Sequence, residues 1–161
     1  MPEVIDGRNE AAVRALKIRF GDFGEYGDVW IPNRAEILEF AEKNRDFTRQ
    51  HVDLEYARSL GHPDLVAHGL LVLSKITFVR PDPTFKIVGI KSQDGVESQS
   101  KFRGWVYAGD EVHGRESIID VRYSANRGKF FITSGFQLRV RSRDNKIAAT
   151  GIYKVLYEFK V

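Results

Sequence analysis

The stretch "NRDFTRQHVD", residues 44–53, gathers the groups of this chain best suited to moving protons. It holds a carboxylate at Asp46, an imidazole at His51, a hydroxyl at Thr48 between them, and a second carboxylate at Asp53. A carboxylate and an imidazole held together can take a proton from water and deliver one to a reacting carbon, which is general acid–base work. Their spacing is five, whereas residues sharing a helix face stand three or four apart. Convergence of Asp46 and His51 on one point therefore requires a turn between them. The residues alone leave the alternative open that Asp46 merely ends a helix and His51 is an ordinary turn histidine.

Composition narrows the chemistry. The chain has no cysteine, which excludes disulfides, thiolate zinc sites and a cysteine nucleophile. No His, Asp and Glu triplet shows metal-ligand spacing, so no metal is expected. The net charge of +3 is spread among acidic residues, without the dense basic footprint of a nucleic-acid binder. It suits a ligand carrying phosphate or an acidic carrier domain. The start "MPEVIDGRNE" lacks an apolar leader, and no apolar run is long enough to cross a bilayer. The chain thus reads as one soluble, cytoplasmic domain with no membrane contact, residues 1–20 forming an N-terminal extension that is a helix or an extra strand.

Elements that would position the site follow from local signals. In "PNRAEILEFAEKN", Asn33 can cap a helix with Glu36 three residues on, and Asp53 can cap "LEYARSLG", closed by Gly61. "AHGLLVLSKITFV", from Ala67 to Val79, is apolar nearly all round and predicts a buried helix. Beyond it run "TFKIVGIKS", "SQSKFRGWV", "EVHGRESIIDVRYS", "KFFITSGFQLRVRS" and "KIAATGIYKVLYEFKV", strand-like segments rich in β-branched and aromatic residues. Asp94-Gly95, Ala108-Gly109-Asp110, Asn126-Arg127-Gly128 and Asp144-Asn145 separate them as turns, and such short links predict antiparallel neighbours. The expected fold is α+β, a long curved antiparallel sheet wrapped on one apolar helix. Trp30, Trp105, Phe130 and Phe131 read as core or interface packing, His62 and His113 as surface or packing residues, and His68 as setting the helix entrance.

The ordered motifs resemble the MaoC-like hot-dog family of (R)-specific enoyl-thioester hydratases and dehydratases. That family's pattern is an apolar helix ending in "FA", then Asp-x-Asn-Pro-x-His-x-Asp, a short "A-x-x-x-G" helix, and "(I/V)-x-H-G" opening the central helix. This chain reads "FAEKNRDFTRQHVD", "EYARSLG" and "LVAHGLL", with "FRGWVYAGDEV" similar to the family's "PV-x-x-GD", so the resemblance runs from about Gly21 to Val161. It implies a lyase of fatty acid metabolism in which Asp46 and His51 hold the water added across C2=C3. By the same resemblance the Gly69 N–H binds the thioester oxygen, and Thr77 matches a position where a serine often enters the site. Thr48, where the family has asparagine, is carried over as a substrate-binding residue, while Arg49 and Gln50 replace a proline and an apolar residue. A coenzyme A or acyl carrier protein thioester as substrate, a homodimer, and no cofactor are implied too. The rival readings are a hot-dog thioesterase and a non-catalytic partner of a heterodimeric dehydratase.

Overall fold

Two hairpins with unmistakable turn chemistry build most of the sheet. β4 (Val112–Ser124) turns into β5 (Lys129–Val140) through a 3-10 turn closed by Gly128 at φ 57°; β5 reaches β6 (Lys146–Phe159) through Asp144 and Asn145, both at φ 54°. Left-handed backbone is what Gly, Asn and Asp tolerate, so both turns are fixed locally. β3 (Ile90–Phe102) completes an antiparallel sheet of order β3-β6-β5-β4. The computed structural model describes residues 2–160, so Met1 and Val161, the last residue of the final predicted strand, lie outside it.

The helices occupy one face of this sheet. α2 (Arg34–Asn44), α5 (Gly69–Ser74) and α6 (Ile76–Val79) share a core with β4, β5 and β6 built on Ile37, Leu71, Val72, Val79, Phe136 and Leu138. Gly114 permits the close approach, since a Cβ there would stand 2.9 Å from both Val79 and Leu138. A second core surrounds Phe130, where Val13 and Leu16 of α1 (Glu10–Arg19) meet Ile118, Val121 and Ile132. The N-terminal residues are therefore integral to the fold: α1 is a helix capped by Asn9, and β1 (Glu3–Asp6) pairs with β2 (Phe85–Val88).

The β1–β2 pair is parallel and joins segments far apart in the chain that no short turn constrains. Two expectations are corrected. Asp94-Gly95 is not a turn: it lies within β3, which joins the end of the first predicted strand to the start of the second. The first predicted strand itself divides at Gly89, φ 71°, into β2 and the start of β3. Asp94 and Gly95 pair with Leu156 and Val155 before a register shift at Gly95/Glu97. A bulge absorbs the irregularity because the unbroken β6 holds β3 along its length. The single helix Ala67–Val79 is two, interrupted at Lys75, whose N–H bonds to Val72 in a tight turn while its Nζ pairs with Glu36 at 2.6 Å. One side of this pair is also open, with Leu70 70% and Phe78 55% exposed. Of the aromatics, Trp30 and Phe130 are buried, whereas Trp105 is exposed.

Sheet closeness gives the first prediction. A Cβ at Gly151 would overlap the Gln99 carbonyl oxygen and lie 2.6 Å from the Phe136 ring. Gly151→Ala should destabilise by about 2 kcal/mol, lowering the melting temperature by roughly 4–8 °C. An unchanged thermal midpoint would show that β3 and β6 are not packed as described.

Candidate active site

Asp46 owes its position to how α2 ends. Asn33 starts the helix by accepting the Glu36 N–H at 2.9 Å, while the Glu36 carboxylate, instead of returning to the cap, binds Trp30 Nε1 and Lys75. At the other end Arg45 adopts φ 56°, ψ 35°, and the Asp46 N–H reaches back to the Ala41 carbonyl. This is the left-handed reversal at which helices usually place glycine. It throws Asp46 out of the helix. Thr48 then donates its hydroxyl to Asp46 Oδ1 at 2.8 Å. That bond, ahead of all other causes, holds the Asp46 carboxyl below its ordinary range, so it is ionised at neutral pH.

α3 (Arg49–Val52) carries His51, which is buried. Its Nδ1 lies 2.6 Å from the Val66 carbonyl oxygen. A carbonyl only accepts, so Nδ1 bears the hydrogen and Nε2 of the neutral ring presents a lone pair. Burial pushes the His51 pKa down, outweighing the pull of the Val66 carbonyl in the other direction. Arg49 does not stand free beside the site. It pairs with Asp53 at 2.8 Å and lies 4.1 Å over the Tyr56 ring, while Asp53 caps α4 (Leu54–Ser59) by accepting the Tyr56 N–H.

The turn between Asp46 and His51 does bring them together. A carboxylate oxygen of Asp46 and a ring nitrogen each from His51 and His68 lie within 4.8 Å of one another. A water donating to two acceptors at about 2.8 Å each spans a gap of about 4.5 Å, so this spacing suits a shared water. The three are also donor types that a divalent cation uses, a grouping that linear spacing hides. Yet the two imidazoles are stacked, with centroids 3.9 Å apart, and each has one nitrogen against a backbone carbonyl.

Gly69 opens α5 beside this cluster. The first bond of that turn runs from the Val72 N–H to the His68 carbonyl, so the Gly69 N–H precedes the helical ladder. A Cβ at Gly69 would meet the Phe102 ring at 2.6 Å, so glycine serves close approach here. Thr77 stands apart: it lies on α6, beyond the break at Lys75 rather than on the helix of Gly69, and is exposed. Sequence reasoning missed Phe102, and it gave His68 only the helix entrance, although that histidine directly precedes Gly69. His62 and His113 have packing partners as expected, Tyr107 for the one, Tyr26 and Asn145 for the other.

No protein-family model matches the chain. A curated relative, the mitochondrial 3-hydroxyacyl-[acyl-carrier-protein] dehydratase of Arabidopsis thaliana, is 30% identical over 105 residues, 63% of this chain and 60% of that protein. The chain therefore spans three-fifths of the relative it matches. Among solved structures, the (R)-hydratase of A. caviae involved in PHA biosynthesis superposes with a TM-score of 0.64 at 19% identity, covering 86% of this chain and 97% of the hydratase. A MaoC-like dehydratase from Rhodospirillum rubrum gives 0.66 at 17% identity, over 87% and 94%. The chain has the fold of these structures, the hot-dog fold. In it β3 to β6 are the bun and α5–α6 the sausage, an α+β arrangement as expected. Among the described residues of this hot-dog chain, no helix is long and apolar enough to cross a membrane.

The buried imidazole makes stability depend on pH. The His51 pKa is lower folded than its ordinary 6.5, so on acidification the unfolded chain takes up this proton first. Its contribution is complete above that ordinary value and is lost as pH falls toward the folded one. Between about pH 7.5 and 5.5 the melting temperature should fall more in the parent than in His51→Gln. Equal falls would mean that His51 is not buried in neutral form.

Proposed function

We propose that this protein catalyses the reversible hydration of a trans-2-enoyl thioester to an (R)-3-hydroxyacyl thioester. The observation that carries this reading is the pairing of an ionised Asp46 with a neutral His51 that presents Nε2, next to the free start of a helix at Gly69. The pair holds a water and removes its proton as the oxygen bonds to C3. Electron density then moves from the C2=C3 bond to the thioester oxygen, where the Gly69 N–H stabilises the developing enolate charge. The proton returns to C2, so nothing is oxidised and no redox cofactor is needed. Thr48 serves by fixing Asp46, and its hydroxyl borders the substrate. Thr77, exposed on α6, is a substrate contact only on a surface that a partner covers.

The substrate is an acyl group on coenzyme A or acyl carrier protein, and the name of the Arabidopsis relative gives acyl carrier protein as that protein's carrier. The working unit is a homodimer. The β3 edge is exposed along most of its length, and Leu70, Phe78 and Phe102 leave an apolar surface that a second copy would cover. Light scattering behind a sizing column should give twice the chain mass; full activity from a monomer would contradict this assembly.

Crotonyl-CoA tests the reaction. Hydration removes the ultraviolet absorbance of the conjugated thioester and leaves the thioester whole. A thioesterase releases thiol, and because the chain has no cysteine a thiol reagent meets no background from it. Absorbance should fall without matching thiol, and Asp46→Asn or His51→Ala should each reduce turnover by about a hundredfold or more. Stoichiometric thiol would establish the thioesterase reading. Inactivity over several chain lengths on both carriers would establish the non-catalytic partner reading.

A further inference from the structure

His68 is the group in the cluster that the proposed reaction leaves without a task. It is 2% exposed and stands at the head of α5, yet its side chain does not cap that helix. Its Nε2 lies 3.0 Å from the backbone carbonyl oxygen of Asp46, so Nε2 carries the donating hydrogen. One face of its ring lies against His51, with centroids 3.9 Å apart at 26°, and Phe40 of α2 sits at 4.9 Å, tilted by 45°. Its Nδ1 is buried and has no partner among the described residues.

A buried nitrogen without a partner is a cost that an apolar side chain of similar shape would avoid. A phenylalanine would fill the same space and keep the stack. Helix capping does not explain the histidine, because no capping bond is made. What an apolar ring lacks is the hydrogen bond to Asp46. The backbone there has just emerged from a left-handed reversal at Arg45, and the Asp46 side chain is exposed. Without a tether at its carbonyl, the residue could swivel relative to a His51 ring that Val66 holds fixed.

We propose that His68 is a positioning residue of the reaction, one that locks the Asp46 main chain and the His51 ring to the start of the helix that bears Gly69. This inference rests on the hydratase reading of the same site. His68 acts through Asp46 and His51, by the hydrogen bond to the Asp46 carbonyl and the stack on the His51 ring. It sets the distance between them, and misplacement by about an ångström is enough to cost roughly a hundredfold in rate.

Two variants separate its contacts. His68→Phe keeps a flat ring against His51 and removes the donor; His68→Gln keeps an N–H donor for the Asp46 carbonyl and removes the ring. With crotonyl-CoA, both should remain folded by circular dichroism. Each should lose about tenfold to a hundredfold in kcat, with KM changed by less than about threefold. In a His51→Ala background, where the arrangement to be preserved is already gone, His68→Phe should cost less than about threefold further. Nitrogen-15 spectra of the imidazoles supply a readout independent of turnover. In His68→Phe the His51 titration midpoint should move, because a neighbour that acts on its charge is gone. Parental kcat in both variants would overturn the proposal, as would an undiminished loss in the His51→Ala background or an unmoved His51 midpoint. These outcomes leave the hydratase reading standing if His51→Ala alone lowers hydration by about a hundredfold. An inactive parent strikes that reading, and the His51 midpoint still decides whether His68 sets its neighbour.

Discussion

The 2.6 Å bond between His51 Nδ1 and the Val66 carbonyl is the constraint on which the site depends. It decides which nitrogen is left with a lone pair. It also joins the turn bearing His51 to the short segment Leu65–Ala67, which is itself anchored to the connection between β3 and β4 by the Ala67 N–H to Val106 and the Ala108 N–H to Leu65. His68 and Gly69 follow directly on that segment. One backbone carbonyl thereby fixes the His51 ring, and the chain leading from it fixes the start of α5 at Gly69.

Asp46 and His51 sit in opposite environments. Asp46 is open to solvent and held ionised by the Thr48 hydroxyl, whereas His51 is buried and kept neutral by desolvation. Such a division lets one acid–base pair hold two states at a single pH. Thr48 reaches the Asp46 carboxylate, and Arg49 is turned aside onto Asp53 and Tyr56. The open face of α5 and α6 leaves Leu70 and Phe78 exposed.

Much of this was legible wherever the signal was local. Asn33 and Asp53 cap the helices their side chains predict, and Gly128 and Asp144-Asn145 make the turns their backbone freedom allows. Asp46 and His51 were readable as a pair needing a turn between them, and the turn is there. What escaped was set by partners distant in sequence. Lys75 breaks an apolar run that looks continuous because Glu36 and the Trp30 ring draw it away. Asp94-Gly95 resembles a turn until β6 holds it straight, and β1 has no local reason to seek β2. The contacts of His68 with Asp46 and His51 exist only after α2, α3 and α5 have packed.

The central claim is that water adds to C3 while the thioester survives, and oxygen labelling tests it directly. Crotonyl-CoA would be incubated with the protein in water enriched in the heavy isotope of oxygen, and the products weighed by mass spectrometry. The account predicts one heavy oxygen in an intact 3-hydroxybutyryl-CoA, placed at C3, with the (R) configuration, and none above background with Asp46→Asn. Heavy oxygen in a free carboxylate, or label at C3 undiminished in that variant, would contradict it.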